Sequence, residues 1–114
     1  MDRHKTISSA LQTAVSGLQA ASLRAQVSAN KIANVNTDGF QPSEVRQSTV
    51  YAAPGRASGV RAAVFAEDRE RAGRAVSVTT DFIRLIEARA TYRANAATIE
   101  TASSLVRDSI NLLA

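Results

Sequence analysis

The chain has 114 residues, a net charge of +4 and no cysteine. This is enough for one domain and not two, and it excludes disulfides, thiolate metal sites and cysteine nucleophiles. Aromatic residues make up only 4% and tryptophan is missing, so the apolar fraction rests on alanine, which favours thin helix-on-helix packing over a thick core. Arginine supplies twelve of the fourteen basic residues, but acidic residues alternate with them through Glu67, Asp68, Arg69, Glu70 and Arg71. Such a mixture describes a solvated surface and not a nucleic-acid patch.

The N-terminus imitates a secretory signal, with Arg3, His4 and Lys5 ahead of Ile7 to Ala21. Ser8, Ser9, Gln12, Thr13, Ser16 and Gln19 break up the apolar run such a signal needs. No stretch reaches membrane-spanning length, so direct membrane insertion is not expected. On these signals alone the chain stays in the cytoplasm unless another route exports it.

From Ile7 to about Asn34 the pattern is helical. Leu11, Leu18, Ala25 and Ile32 recur every seven residues, with Ile7, Ala14, Ala21, Ser28 and Val35 as the second row of a heptad seam. Val15, Ser22 and Ala29 broaden the stripe on one side, while Leu23 and Val27 fall on the far face. Gly17 weakens the helix by about 1 kcal/mol relative to alanine, and either marks a close approach of another chain segment or is a tolerated weak spot. Asn34, Asn36, Thr37, Asp38 and Gly39 then stop the helix, with Gly39 as the left-handed position, Phe40 folding back and Pro42 preventing continuation.

Residues 44–65 change period. Val45, Gln47, Thr49 and Tyr51 alternate with Glu44, Arg46, Ser48 and Val50, and Val60, Ala62 and Val64 alternate with Arg61, Ala63 and Phe65. Around the turn signal Ala53-Pro54-Gly55-Arg56 this predicts a short β-hairpin with a loose loop. A lone hairpin is marginal in water, so it must pack on something. Glu67 to Arg74 follows as a charged linker. From Thr79 the helical period returns to the C-terminus, with Thr79 or Thr80 as cap and Asp81 complementing the helix dipole. Phe82, Leu85, Tyr92, Ala96, Ile99, Val106, Ile110 and Leu113 fall at alternating three- and four-residue steps once Arg89 and Ser103 are included, and Ile83, Leu105 and Leu112 lie off that stripe.

The predicted fold is therefore mainly α: two long terminal helices packed as an antiparallel coiled-coil-like pair with a short β-hairpin insert. The single domain, 1–114, divides into an N-terminal helix at 7–36, a corner, hairpin and linker at 37–75, and a C-terminal helix at 79–113. Each helix buries one stripe on the other, and the remaining apolar residues stay available to other chains.

Catalytic chemistry finds no foothold. His4 is the only histidine and lies near a terminus, no cluster has metal-ligand spacing, and neither GxxxxGK[ST] nor GxGxxG occurs. Neither an enzyme nor a cofactor is expected. Arg89 and Arg93 are read as a solvated flank, and Arg84 as the partner of Glu87.

The segment Ser28-Ala29-Asn30-Lys31-Ile32-Ala33-Asn34-Val35-Asn36-Thr37-Asp38-Gly39-Phe40 resembles the N-terminal signature of the bacterial flagellar axial proteins, the rod and hook family. Ser16-Gly17-Leu18 is similar to that family's Ser/Thr-Gly-Leu step. Ile86-Glu87-Ala88-Arg89, Tyr92, Ala94-Asn95, Ile99 and Thr101-Ala102 resemble its C-terminal helix. The short insert is similar to that of proximal rod members. Lys31 stands where the family carries the second asparagine of a doublet, and a Pro-Asn step before the C-terminal helix is missing.

The resemblance implies a structural subunit of the flagellar basal-body rod, assembling through its terminal helices into a helical tube that transmits torque. It implies export through the flagellar type III apparatus without a cleaved signal peptide, a periplasm-spanning location, and partners that are copies of the chain and other rod or hook subunits. Ile7, Leu11, Leu18, Ile32, Phe82, Leu85, Tyr92, Ile99, Val106 and Ile110 would carry subunit packing. Asn30, Asn34, Thr37, Gly39, Phe40, Glu87, Ala94, Asn95, Thr101 and Ala102 are the motif positions. The alternatives are a soluble export-linked adaptor or regulator using the same helices and, further off, a basic nucleic-acid-binding helical protein.

Overall fold

The computed structural model describes residues 3–68 and 78–113, with only the backbone described for residues 3–5. His4's side chain and most of the expected linker lie outside the described residues. Helix α1 spans Arg3–Ala33, strand β1 Ser43–Ala53, strand β2 Arg56–Ala66 and helix α2 Val78–Leu113. The helices pack on each other over their length and the hairpin contacts α1, giving a body of 62 × 29 × 17 Å. The mainly α fold with a hairpin insert is the one the sequence predicts.

At about 1.5 Å per residue, α1 and α2 are roughly 46 and 54 Å long. Their pairing is fixed at two levels. Gly17 lies against Asn95, and Lys31 lies 3.5 Å from Asp81. Gly17 to Lys31 and Asn95 to Asp81 are both 14 positions (31 − 17 and 95 − 81), so the helices run antiparallel through two heptads without a slip.

On α1 the buried row is Ala14, Ala21 and Ser28, as the heptad predicts, with Leu11, Leu18, Ala25 and Ile32 half-buried beside it. Val35 does not extend the row, because the helix stops at Ala33, and it is exposed. The stripe does not widen through Val15 and Ala29, which are exposed. It widens through Gly17, Ala20 and Lys31 on the opposite flank, where α2 and the hairpin meet α1.

On α2 one predicted row holds in part: Leu85, Ile99 and Val106 are half-buried, while Tyr92 and Leu113 of the same row are exposed. The other row is displaced by one residue. Asp81, Ala88 and Ala102 are buried and Asn95 and Ser109 half-buried, while Phe82 and Ile110 are 49% and 58% exposed and Ala96 stays at the edge. The reason is steric. Small residues on α1 bring the axes close, and a close crossing accepts alanine, asparagine and serine opposite it but not phenylalanine.

The hairpin pairs antiparallel in unbroken register from Ser43↔Ala66 to Val50↔Gly59. The loop is tighter than expected: Ala53 pairs with Arg56, leaving Pro54-Gly55 as a two-residue turn with Gly55 at φ 74°. Proline's fixed φ followed by a left-handed glycine is the type II combination, which splays strands. The register shifts at Val50/Tyr51 and Tyr51/Ala53 absorb that splay. The hairpin docks on α1 through the outer edge of β2. Thr13 Oγ1 donates to the Ser58 carbonyl at 2.9 Å, and the Val60 amide donates to Ser16 Oγ at 3.0 Å. Leu23, read from the sequence as far-face, lies beneath the hairpin.

Candidate functional site

The corner after α1 is built from side chains that substitute for missing helical hydrogen bonds. The Asn34 amide still bonds the Asn30 carbonyl at 3.1 Å, and the Asn34 side chain donates to that carbonyl and to Asn30 Oδ1 at 2.9 and 3.0 Å. Thr37 Oγ1 donates to Asn34 Oδ1 at 3.2 Å and the Thr37 amide to the Asn34 carbonyl at 3.0 Å. The Phe40 amide returns to the Thr37 carbonyl at 3.3 Å across Gly39, whose φ of 75° is the left-handed conformation. Asn30, Asn34 and Thr37 are thus one hydrogen-bonded unit, and Gly39 and Phe40 complete the reversal.

Behind this corner lies a buried ion cluster. Lys31 Nζ is 2.6 Å from Glu67 Oε1, where the chain leaves β2, and 3.5 Å from Asp81 Oδ1 in the first turn of α2. Lys31 is buried, Asp81 is 2% exposed, and Arg84 reaches Asp81 from solvent at 4.0 Å. Arg84 therefore faces Asp81 and not Glu87. The Glu67 amide donates to the Pro42 carbonyl at 2.9 Å and Gln41 Nε2 to the Glu67 carbonyl at 3.2 Å, closing the stem of the hairpin on the same point. One ammonium thus joins the end of one helix, the exit of the hairpin and the start of the other helix. Helix α2 begins at Val78, so Thr79 and Thr80 lie inside its first turn and do not precede it as a cap.

The C-terminal motif positions lie along α2. Asn95 turns to α1, donates to the Thr91 carbonyl at 2.9 Å, and places its carboxamide where a Cβ on Gly17 would stand. Ala102 is buried; Glu87, Ala94 and Thr101 face solvent. Of the packing positions, Ile7, Leu11, Leu18, Ile32, Leu85, Ile99 and Val106 flank the helix–helix seam, half-buried. Phe82, Tyr92 and Ile110 are exposed, at 49%, 43% and 58%. The residues that sequence reasoning passed over are Lys31, Glu67 and Asp81 as a cluster, and Thr13 and Ser16 as the hairpin's anchor. Lys31 carried a signal, since a lysine replaces an asparagine beside a buried row.

Among the described residues no group of three or more histidine and acidic side chains is placed to hold a metal ion, and no helix is long and apolar enough to cross a membrane. What the molecule offers is shape: two long helices sealed along one thin seam, a rigid corner, and apolar side chains left outside. That defines a mainly α protein, two packed helices with a two-stranded hairpin between them in the chain. Residues 11–41 match the family model described as flagella basal body rod protein, a match that runs along α1 and through the corner to Gln41. Over that segment the chain is similar to the flagellar basal-body rod family. A comparison with curated proteins finds no match.

Proposed function

We propose that the chain is an axial subunit of the basal-body rod, of the short proximal type, which assembles with copies of itself and with other rod or hook subunits into a helical tube that transmits torque. One observation carries the reading furthest. The family match falls on the helix and corner whose Asn30–Asn34–Thr37 network fixes the chain's direction, and the same molecule leaves large apolar side chains outside its own seam. A subunit that must bury those side chains against neighbours needs a rigid corner to aim them. Export proceeds uncleaved through the flagellar type III apparatus, and the rod crosses the periplasm.

The subunit-packing role falls to Ile7, Leu11, Leu18, Ile32, Phe82, Leu85, Tyr92, Ile99, Val106 and Ile110, the more exposed of these turning to neighbours and the half-buried ones lying at the seam's margins. The test is purification of basal bodies from cells carrying the wild-type chain or Leu18→Asp. The wild-type chain is expected in the rod fraction and the variant absent from it. A wild-type chain confined to the cytoplasm would instead make it an export-linked adaptor, and normal rods containing the aspartate variant would remove Leu18 from the packing set.

A further inference from the structure

Two features outside the helix–helix seam are unused by the chain itself and complement each other. The first is concave. Between α1 and the hairpin lies a groove of about 380 Å³ lined by Ala20, Leu23, Val50, Val60 and Ala62, by Arg61, and by three polar side chains of α1. The Arg61 side chain is exposed and makes no ion pair or hydrogen bond among the described residues. The second is convex. On α2, Ile83 and Ile86 are 52% and 66% exposed, and Ala90, Ala94 and Ala97 continue their line at helical spacing, all open to solvent. Glu87 stands on this ridge, exposed, and it too has no ion pair or hydrogen bond among the described residues.

We infer that the Ile83–Ile86 ridge of one copy seats in the α1–hairpin groove of a second copy, with Glu87 of the first copy paired to Arg61 of the second. The inference rests on the reading of the chain as a self-assembling subunit and names the surfaces it uses. Three arguments select a second copy as the occupant. The charges are opposite, each is unpaired at home, and each adjoins an apolar feature of the opposite shape. The ridge cannot reach the groove within one chain, because the hairpin contacts α1 and α2's buried row faces α1. Groove and ridge are also different patches, so their contact is heterologous: copies add head to tail, into a ring if the rotation closes and an open helix if it does not. The large isoleucines supply apolar area and the alanines behind them let the second copy approach. The charge pair at the rim sets register and partner choice more than strength.

The experiment is a charge exchange on the full chain, followed by sedimentation velocity over a range of concentrations. Arg61→Glu and Glu87→Arg are both surface changes, and circular dichroism checks that each variant keeps the wild-type helix content. Each single variant is expected to lower the association constant at least about tenfold, through like charges facing across the contact, with a defect that shrinks as salt rises. The double variant Arg61→Glu/Glu87→Arg is expected to recover association. So is an equimolar mixture of the two single variants, because each then offers the other an opposite charge in both directions. Unchanged association in the single variants, failure of both the double variant and the mixture to recover, or a wild-type chain monomeric at every concentration overturns the inference. The basal-body fractionation described above is read separately. A chain found in rods while the charge variants sediment like wild type leaves the rod reading standing and removes this contact.

Discussion

Gly17→Ala isolates what holds the two helices in register. In a free helix the change stabilises by about 1 kcal/mol. Here the new Cβ would stand 2.7, 2.8 and 2.9 Å from Nδ2, Oδ1 and Cγ of Asn95, well inside ordinary contact distance. Asn95 is short and its amide is held by the Thr91 carbonyl at 2.9 Å, so relief requires breaking that hydrogen bond or parting the helices. Loss of the bond costs about 1 kcal/mol and overpacking of a tight seam about 1–3 kcal/mol. Set against the propensity gain, the net is a destabilisation of about 1–3 kcal/mol, or a melting temperature lower by roughly 4–12 °C. In an Asn95→Ala background the obstruction is gone, and the same Gly17→Ala change should instead stabilise by about 1 kcal/mol. Urea unfolding of the four proteins of this cycle, at one low concentration, measures the coupling directly. If Gly17→Ala stabilises equally in both backgrounds, the glycine is a weak spot in α1 and not a notch for Asn95.

Other substitutions test the parts around the seam. Lys31→Met leaves Glu67 and Asp81 buried without their cation and should lower stability by about 3–5 kcal/mol in denaturant titration, whereas adding Glu67→Gln and Asp81→Asn should restore most of it. Ser16→Ala removes the acceptor of the Val60 amide and should raise hydrogen exchange at that amide about fivefold, equivalent to a hydrogen bond of about 1 kcal/mol, while α2 amides stay unchanged. Gly39→Ala places a side chain at φ 75° with open space around it, so the backbone alone should cost about 1–2 kcal/mol, measured by thermal melting. Asn34→Ala removes the centre of the corner network and should cost about 1–2 kcal/mol, with faster exchange at the Thr37 amide as its local signature.

The parts of the fold legible from sequence were those that a single segment decides. The seven-residue repeat of α1, the Asn-rich stop, the alternation of the strands and the Pro-Gly turn all encode their geometry locally, and the structure places a helix, a corner and a hairpin there. The missed features were set by a partner. The second row of α2 was read through Phe82 and Ile110 because large apolar residues usually face a core, yet the seam takes Asp81, Ala88, Asn95 and Ala102. That choice follows from α1, where Ala14, Gly17 and Ala21 leave room for small side chains only, and from Lys31, which draws Asp81 inward. A periodicity count over one helix contains neither constraint. The hairpin's anchor was hidden for the same reason: Thr13 and Ser16 look like polar interruptions of α1 until a strand edge supplies the amide and carbonyl they satisfy.

The one-residue shift in α2 bears on the proposed assembly. Had Phe82 and Ile110 filled the seam, the chain would hold a thicker core, with less apolar surface left over. By packing small residues inside, the pair gives up area-driven stability in the monomer, since each large side chain left about half in water forgoes roughly half of the about 1.5–3 kcal/mol that full burial gives. Phe82, Ile83, Ile86, Leu105 and Ile110, all between 49 and 66% exposed, keep that burial available. A contact with a neighbour that covers several of them gains what the monomer did not use, so association and folding draw on the same side chains. The seam itself can stay thin because Gly17 with Asn95, and Lys31 with Asp81 and Glu67, fix its register by shape and charge instead of by area. Enlarging the seam, for instance by Ala88→Leu, is therefore expected to part the helices and disturb that register rather than to stabilise the subunit. A higher melting temperature for Ala88→Leu with an intact Lys31–Asp81 contact would show that the seam has room to spare and that its thinness is not enforced by packing.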